Sequence, residues 1–162
     1  MSPLLFLAAA SIGTRPGGVT AGGGPLKPAD GHRLAAFSRG CFWGMEQRFR
    51  RLPGVVATAV GYMGGVELFP TYESIHAHRT GHVETVLVEF DPKRVTYRRL
   101  LDEFEASRPG SKSVAWTFDA TQLRAARSRF PGKAKPVQTF WLAEERHQQY
   151  AERNGLELCP SP

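Results

Sequence analysis

From Arg33 onward the apolar residues switch repeatedly between a two-residue spacing and a three-to-four-residue spacing. Such a chain alternates strands with helices, which confines it to folds that layer helices on a sheet. Leu34–Phe37, Val55–Tyr62, Val83–Phe90, Val114–Phe118 and Val137–Trp141 read as strands. In the third, Val86, Val88 and Phe90 alternate with Leu87 and Glu89. Trp43–Leu52 sets Met45, Phe49 and Leu52 at helical spacing, and Pro53-Gly54 stops it. Pro70–Ile75 opens a short helical turn. Thr96–Ala106 is a helix with Thr96 as its cap and Leu100, Leu101 and Phe104 toward the core. Asp119 caps a helix running to Phe130, and Ala143–Arg153 forms the last one. The expected class is α+β, a two-layer sandwich with helices on one face of a mixed sheet.

At 162 residues the chain is one domain by length, enough to bury a core without metal or disulfide support. Two cysteines, Cys41 and Cys159, cannot staple a fold with several bridges but suffice for one reversible redox pair. With 41% hydrophobic and 22% charged residues, the composition excludes a disordered acidic chain and a collagen-like one. The net charge of +6 is spread over short groups, among them Arg48, Arg50 and Arg51. It reads as solvated helix faces rather than a nucleic-acid surface. The apolar run Leu4–Ile12 is too short to span a bilayer, and no Lys or Arg precedes it as in an export signal. Gly13–Gly31 is Gly- and Pro-rich without apolar period. Residues 1–32 are therefore expected to be a disordered leader to a domain at 33–162, in a cytoplasmic protein. An exported form is the alternative that Leu4–Ile12 leaves open.

The chemistry concentrates in three segments. In Gly40-Cys41-Phe42-Trp43-Gly44 a cysteine leaves a strand and enters the first turn of a helix, where unpaired N–H groups favour a thiolate. Phe42 and Trp43 set apolar faces beside the sulfur, a surface suited to a methyl group. A buried structural cysteine among core aromatics fits the same residues. In Thr80-Gly81-His82-Val83-Glu84 a carboxyl stands where a loop enters a strand. It is a general acid if desolvated, or a surface glutamate at a strand edge. Tyr72 is a phenolic donor or a packed loop tyrosine. His76, His78 and His82 show no recognised zinc spacing and read as surface histidines.

Together these segments resemble the A-type peptide-methionine sulfoxide reductases, which reduce the S epimer of methionine sulfoxide. The resemblance runs from about Leu34 through Asp91. It rests on Gly40-Cys-Phe-Trp-Gly44, Leu52-Pro-Gly-Val55, Val60-Gly-Tyr-Met-Gly-Gly65, Pro70-Thr-Tyr72 and Thr80-Gly-His-Val-Glu84. It resumes at Ser113-Val-Ala-Trp116 and Ala143-Glu-Glu-Arg-His-Gln-Gln-Tyr150. It implies a ferredoxin-like sandwich and an enzyme acting on methionine sulfoxide, free or in proteins. By the resemblance, Cys41 is the nucleophile that becomes a sulfenic acid, and Phe42 and Trp43 cage the substrate methyl. Glu84 protonates the sulfoxide oxygen and Tyr72 binds it. Cys159 resolves the sulfenic acid into a disulfide for thioredoxin, or another thiol, to reduce. No metal or organic cofactor, nucleic acid or membrane is implied, and the protein is expected to be a monomer.

One departure is large. The family carries, after the helix corresponding to Thr96–Ala106, a segment that supplies an aspartate and a second tyrosine to its active site. Here Phe104-Glu-Ala-Ser107 passes through Arg108-Pro-Gly-Ser-Lys112 to Ser113, with neither residue. The alternative function is thus a catalytically impaired paralogue that binds oxidised methionine or a protein partner.

Overall fold

The computed structural model describes residues 27–77 and 80–158. Residues 1–26 of the leader expected at 1–32, His78 and Cys159 lie outside the described residues. Within 27–32, Ala29 N–H and His32 Nδ1 each reach Glu89 Oε1 at 2.9 Å, so this stretch is tied to the sheet. Six strands, β1 (Arg33–Ser38), β2 (Val55–Met63), β3 (Val83–Phe90), β4 (Val114–Thr117), β5 (Ala134–Pro136) and β6 (Trp141–Leu142), form one sheet in the order β5-β4-β1-β3-β2-β6. All neighbours are antiparallel except β4 and β5, so the sheet is mixed. The inner four strands with α1 (Phe42–Arg50) and α3 (Tyr97–Ala106) reproduce the βαββαβ order of a ferredoxin-like sandwich. The short α2 (Tyr72–His76) precedes β3, and α4 (Ala120–Arg129) follows β4.

The helices sit on one face, as the alternation predicts. Phe37, Val60, Tyr62, Val86, Val88 and Phe90 of the strands share a core with helix residues including Phe42, Met45, Phe49, Leu100, Leu101 and Phe104. Helix starts follow the expected caps: Thr96 accepts from Arg99 N–H at 3.1 Å and Asp119 from Gln122 N–H at 2.8 Å.

Two expected elements are corrected. Val137–Trp141 is not one strand. Val137 N–H still bonds Thr117 O (2.9 Å) beside β5, but the next strand, at Trp141, pairs with β2 on the opposite edge. Between them Phe140 buries on the sheet's second face with Leu34, Ala36, Ala59, Leu87 and Trp116. Gly61 makes room: a Cβ there would meet Trp141 O at 2.2 Å and the Phe140 ring at 2.5 Å. The run looked strand-like because it is apolar, yet its side chains belong to a strap crossing the face.

Nor is Ala143–Arg153 one helix. It is a 3₁₀ turn, Glu145–His147, then a short α5, Tyr150–Arg153, broken at Gln149 with φ of 47°. The break is set by buried polar groups. Gln148 accepts from Val60 N–H (2.9 Å) and donates to Val60 O (2.9 Å) and Ala143 O (3.0 Å). Gln149 donates N–H to Glu46 Oε2 and Nε2–H to Glu46 Oε1, each 2.8 Å. Both amides can serve these partners only if the helix is interrupted.

Glu46 is the other half of that arrangement. It is 1% exposed and also accepts from Thr58 Oγ1–H at 2.8 Å. Burial pushes its carboxyl up, opposed by the bonds from Thr58 and Gln149 and by the Arg50 charge. Glu46→Leu leaves buried donors on β2 and at Gln149 unmatched, and should lower stability by about 3 kcal/mol. Urea denaturation followed by circular dichroism reads this directly; a loss below about 0.5 kcal/mol, the scatter of ordinary surface substitutions, would mean the carboxylate clamps nothing.

Candidate active site

Cys41 is the N-cap residue of α1, exposed, with φ −55° and ψ 118°. Gly40 before it has φ +130°, a conformation that a side chain would strain, and this lets β1 turn sharply into α1. The cysteine thus sits at the positive end of a helix rather than in the core, which removes the buried-structural reading.

Glu84 stands at the second position of β3, directly opposite Tyr62 of β2. By the two-residue period its side chain shares the helix-covered face with Val86, Val88 and Phe90. There it is half-buried, and burial raises its pKa to about 7, the His76 charge pulling weakly the other way. No described group hydrogen-bonds the carboxyl to offset that burial. The surface-glutamate reading does not match this environment.

Tyr72 opens α2. Its phenol is raised by burial and by the Glu84 and Cys41 charges, so the hydroxyl lies within electrostatic reach of both. Thr71 caps α2 through Ser74 N–H (3.1 Å), with Ser74 Oγ returning to Thr71 N–H (2.9 Å). Cys41, Tyr72 and Glu84, from three separate elements, therefore converge. Phe42 is 1% exposed, its ring 6.0 Å from that of Tyr62 and 6.4 Å from that of Tyr72. Trp43 is half-buried and is stacked on Tyr150 at 3.9 Å. Of the two aromatics beside the cysteine, Phe42 is the floor and Trp43 the exposed wall.

Three groups of the Ala143–Tyr150 segment hold this wall: Glu144, Tyr150 and His147, the last read from sequence as pairing with a carboxylate or packing on the last helix. Trp43 Nε1–H donates to His147 Nδ1 at 3.1 Å. An indole N–H only donates, so His147 carries its proton on Nε2, which faces Glu144 Oε2 at 3.5 Å. The 3.2 Å approach of Arg146 Nε to that nitrogen is then a contact and not a hydrogen bond. Burial lowers the His147 pKa, keeping the ring neutral. Glu144 in turn accepts from Tyr62 O–H (2.8 Å) and Tyr72 N–H (3.0 Å). Burial alone would raise the Glu144 carboxyl, but these bonds outweigh it and the net shift is downward. The signal for Glu144, His147 and Tyr150 was the polar density of Ala143–Tyr150, which is too rich for one face of a helix. Tyr62 had none, being an apolar strand residue by pattern.

The remaining expected features are structural or absent. His82 accepts from Gly65 N–H at Nδ1 (3.1 Å) and donates from Nε2 to Glu67 O (2.8 Å), so both nitrogens serve the loop backbone. Among the described residues no group of three His, Cys, Asp or Glu could hold a metal ion, and no helix is long and apolar enough to cross a membrane. The linker 107–113 between α3 and β4 supplies no aspartate and no tyrosine.

A cap-position thiol, a largely neutral carboxylic acid and a phenol around an aromatic wall define a thiol-based reductase site for a small polar group with an apolar substituent. The comparisons agree. The profile of the family described as peptide methionine sulfoxide reductase matches residues 33–126. The peptide methionine sulfoxide reductase MsrA of Geobacter sulfurreducens is 40% identical over 151 residues, 77% of this chain and 93% of the relative. That of Methanoculleus marisnigri is 39% identical over 160 residues, 83% of this chain and 98% of the relative. The solved methionine sulfoxide reductase A of Corynebacterium diphtheriae is similar with a TM-score of 0.69 at 29% identity, covering 92% of this chain and 87% of that one. This chain belongs to the peptide methionine sulfoxide reductase family. The 151 aligned positions draw on 77% of 162 residues, about 125, so the Geobacter relative carries about 26 residues that this chain lacks.

If the His147 bond orients Trp43, His147→Phe keeps a stacked ring but removes the acceptor. The KM for a sulfoxide substrate should then rise about five-fold, the worth of one net hydrogen bond, with a smaller change in kcat. His147→Gln, which can accept, should recover part of the loss. Steady-state kinetics on the three proteins distinguishes this from general loosening, in which both substitutions act alike.

Proposed function

We propose that this protein reduces the S epimer of methionine sulfoxide with Cys41 as nucleophile. The observation that carries the reading is the convergence of Cys41 and Glu84 on Tyr72, with burial holding Glu84 near neutrality in titration. The Cys41 sulfur attacks the sulfoxide sulfur while Glu84 delivers its proton to the departing oxygen and Tyr72 donates a hydrogen bond to it. The oxygen passes to Cys41, methionine leaves reduced by two electrons, and the thiol becomes a sulfenic acid. Trp43, over the Phe42 floor, bounds the methyl group. No metal or organic cofactor enters these steps.

Cys159 is proposed to condense with the sulfenic acid, releasing water and forming a disulfide that thioredoxin or another thiol reduces. The docking of the preceding residues supports this. Leu158 N–H donates to Gln47 Oε1 (2.9 Å) and Gln47 Nε2–H donates to Leu156 O (2.7 Å). Gln47 lies six positions beyond Cys41, about 9 Å of helix rise. A disulfide needs its two Cα atoms within about 7 Å, so the proposal requires the chain beyond Leu158 to reach the start of α1. The catalytic domain is proposed to run over 33–162, the family match at 33–126 supporting its first part. The working form proposed is a cytoplasmic monomer.

The linker 107–113 favours a weakened version of the enzyme. Without a second tyrosine, one donor to the developing oxyanion is missing, a loss worth about 10²–10³ in rate. Release of methionine in a single turnover, without reductant, decides between weak catalysis and binding alone.

Two outcomes follow. The single-turnover rate should fall as pH rises through about 7, because the raised Glu84 pKa leaves the acid form below that point and removes it above. Glu84→Gln should lower the rate about 10²-fold or more and abolish this limb; an unchanged limb would mean another group supplies the proton. In Cys159→Ser the first turnover should persist and thioredoxin recycling should fail while dithiothreitol still works. Normal cycling with thioredoxin would remove Cys159 from the mechanism.

A further inference from the structure

The open side of the site is not apolar. A cavity of about 490 Å³, in the size range of small-ligand pockets, extends from Glu84 and is lined among others by Arg39, His76, Gly110, Ser111 and Lys112. The opposite side is closed by stacked rings: Tyr72 lies 4.5 Å from His147 and Trp43 3.9 Å from Tyr150. The cavity is therefore a path along which a chain whose sulfoxide meets Glu84 can leave.

The cavity wall is built rather than loose. The linker 107–113 closes on itself through Gly110 N–H to Ser113 Oγ (2.9 Å) and Ser113 N–H to Gly110 O (3.2 Å). Arg39 Nε–H pins its start at Ser107 O (2.6 Å), and Lys133 Nζ holds Gly110 O (2.5 Å).

Two exposed cations, Arg39 and Lys112, line this cavity, and among the described residues neither has a carboxylate partner. Other surface cations such as Arg108 and Arg124 are also without one, and what distinguishes Arg39 and Lys112 is their shared place beside Glu84 in the cavity lining. No hydrogen bond or ion pair joins either of them to Glu84 among the described residues, so both are open to a group that a substrate carries beside its sulfoxide.

We infer that Arg39 and Lys112 form a subsite for a carboxylate carried next to the oxidised methionine, most simply an acidic side chain of the substrate polypeptide. This rests on the proposed reduction at Cys41 and adds its sequence preference. The Arg39 fork and the Lys112 ammonium, in the lining of one cavity, select negative charge and repel a basic neighbour.

The test uses end-capped peptides with one methionine sulfoxide flanked by Glu, Gln or Lys, varied on each side in turn. In the wild-type protein kcat/KM for a Glu-flanked peptide should exceed that of its Gln counterpart by about five-fold at low salt, the size of one favourable exposed ion pair. The ratio should shrink as salt rises. Lys112→Gln should bring it toward one, and Lys112→Glu should invert the preference in favour of Lys. Arg39→Gln serves as the second variant, with circular dichroism to check that the linker remains folded. N-acetyl methionine sulfoxide as acid and as amide separates the two sources: a preference confined to the acid assigns the subsite to a terminal carboxylate instead of an acidic side chain. A wild-type ratio near one on every probe, or a ratio indifferent to both variants, overturns the subsite. If no peptide is reduced, anisotropy titration of labelled peptides against Cys41→Ser reads the same ratio in Kd. A preserved preference there faults the reduction and keeps the subsite, and equal Kd values fault the subsite itself.

Discussion

The arrangement depends on one buried carboxylate. Glu46 on α1 receives hydrogen bonds from β2 through Thr58 and from the C-terminal segment through Gln149. Isolated in an apolar interior, such a group would cost several kcal/mol. Ringed by donors it locks three pieces of chain that carry the site. Cys41 heads α1, Tyr62 ends the run on β2, and His147 and Tyr150 sit on the C-terminal segment. Arg50 extends the same seam, bonding Thr58 Oγ1 at 3.2 Å and Glu152 at 2.8 Å.

Three carboxyl groups within this fold meet three fates, and hydrogen-bond supply decides each. Glu46 is the most deeply buried and is raised even against several donors. Glu144 loses part of its hydration too, yet Tyr72 N–H and the Tyr62 hydroxyl bring it below its ordinary value. Glu84 is partly desolvated with no compensating donor among the described residues, so it rises to about 7. A proton donor working near neutrality needs that third environment. The same donors that keep Glu144 ionised hold Tyr62 and the start of α2 in place, so one anion positions these tyrosines while the neighbouring acid titrates near 7.

The short linker after α3 changes the site from one side only. The aromatic wall, the thiol and the acid come from elements outside it. What the linker alters is the rim, where Gly110, Ser111 and Lys112 now face the cavity beside Glu84. It brings neither an aspartate nor a tyrosine to the rim, and it sets the exposed Lys112 beside the cavity.

Much of this was legible in the residues. The alternation of apolar spacings determined the strands, the single helical face and the caps at Thr96 and Asp119, because local burial periodicity and capping depend on neighbours a few positions apart. Cys41 and Glu84 were visible as chemistry-bearing residues because glycines and motif spacing mark their turns. Tertiary structure alone decided the rest. Phe140 became a strap and Gln148 and Gln149 broke a helix, since their partners, Gly61, Val60 and Glu46, lie far away in sequence. It also decided that Glu84 points under the helices, that Glu144 and His147 hold Tyr72 and Trp43, and that Arg39 and Lys112 line one cavity. Those properties are set by desolvation and by contacts between distant segments, which no local pattern in a chain can encode.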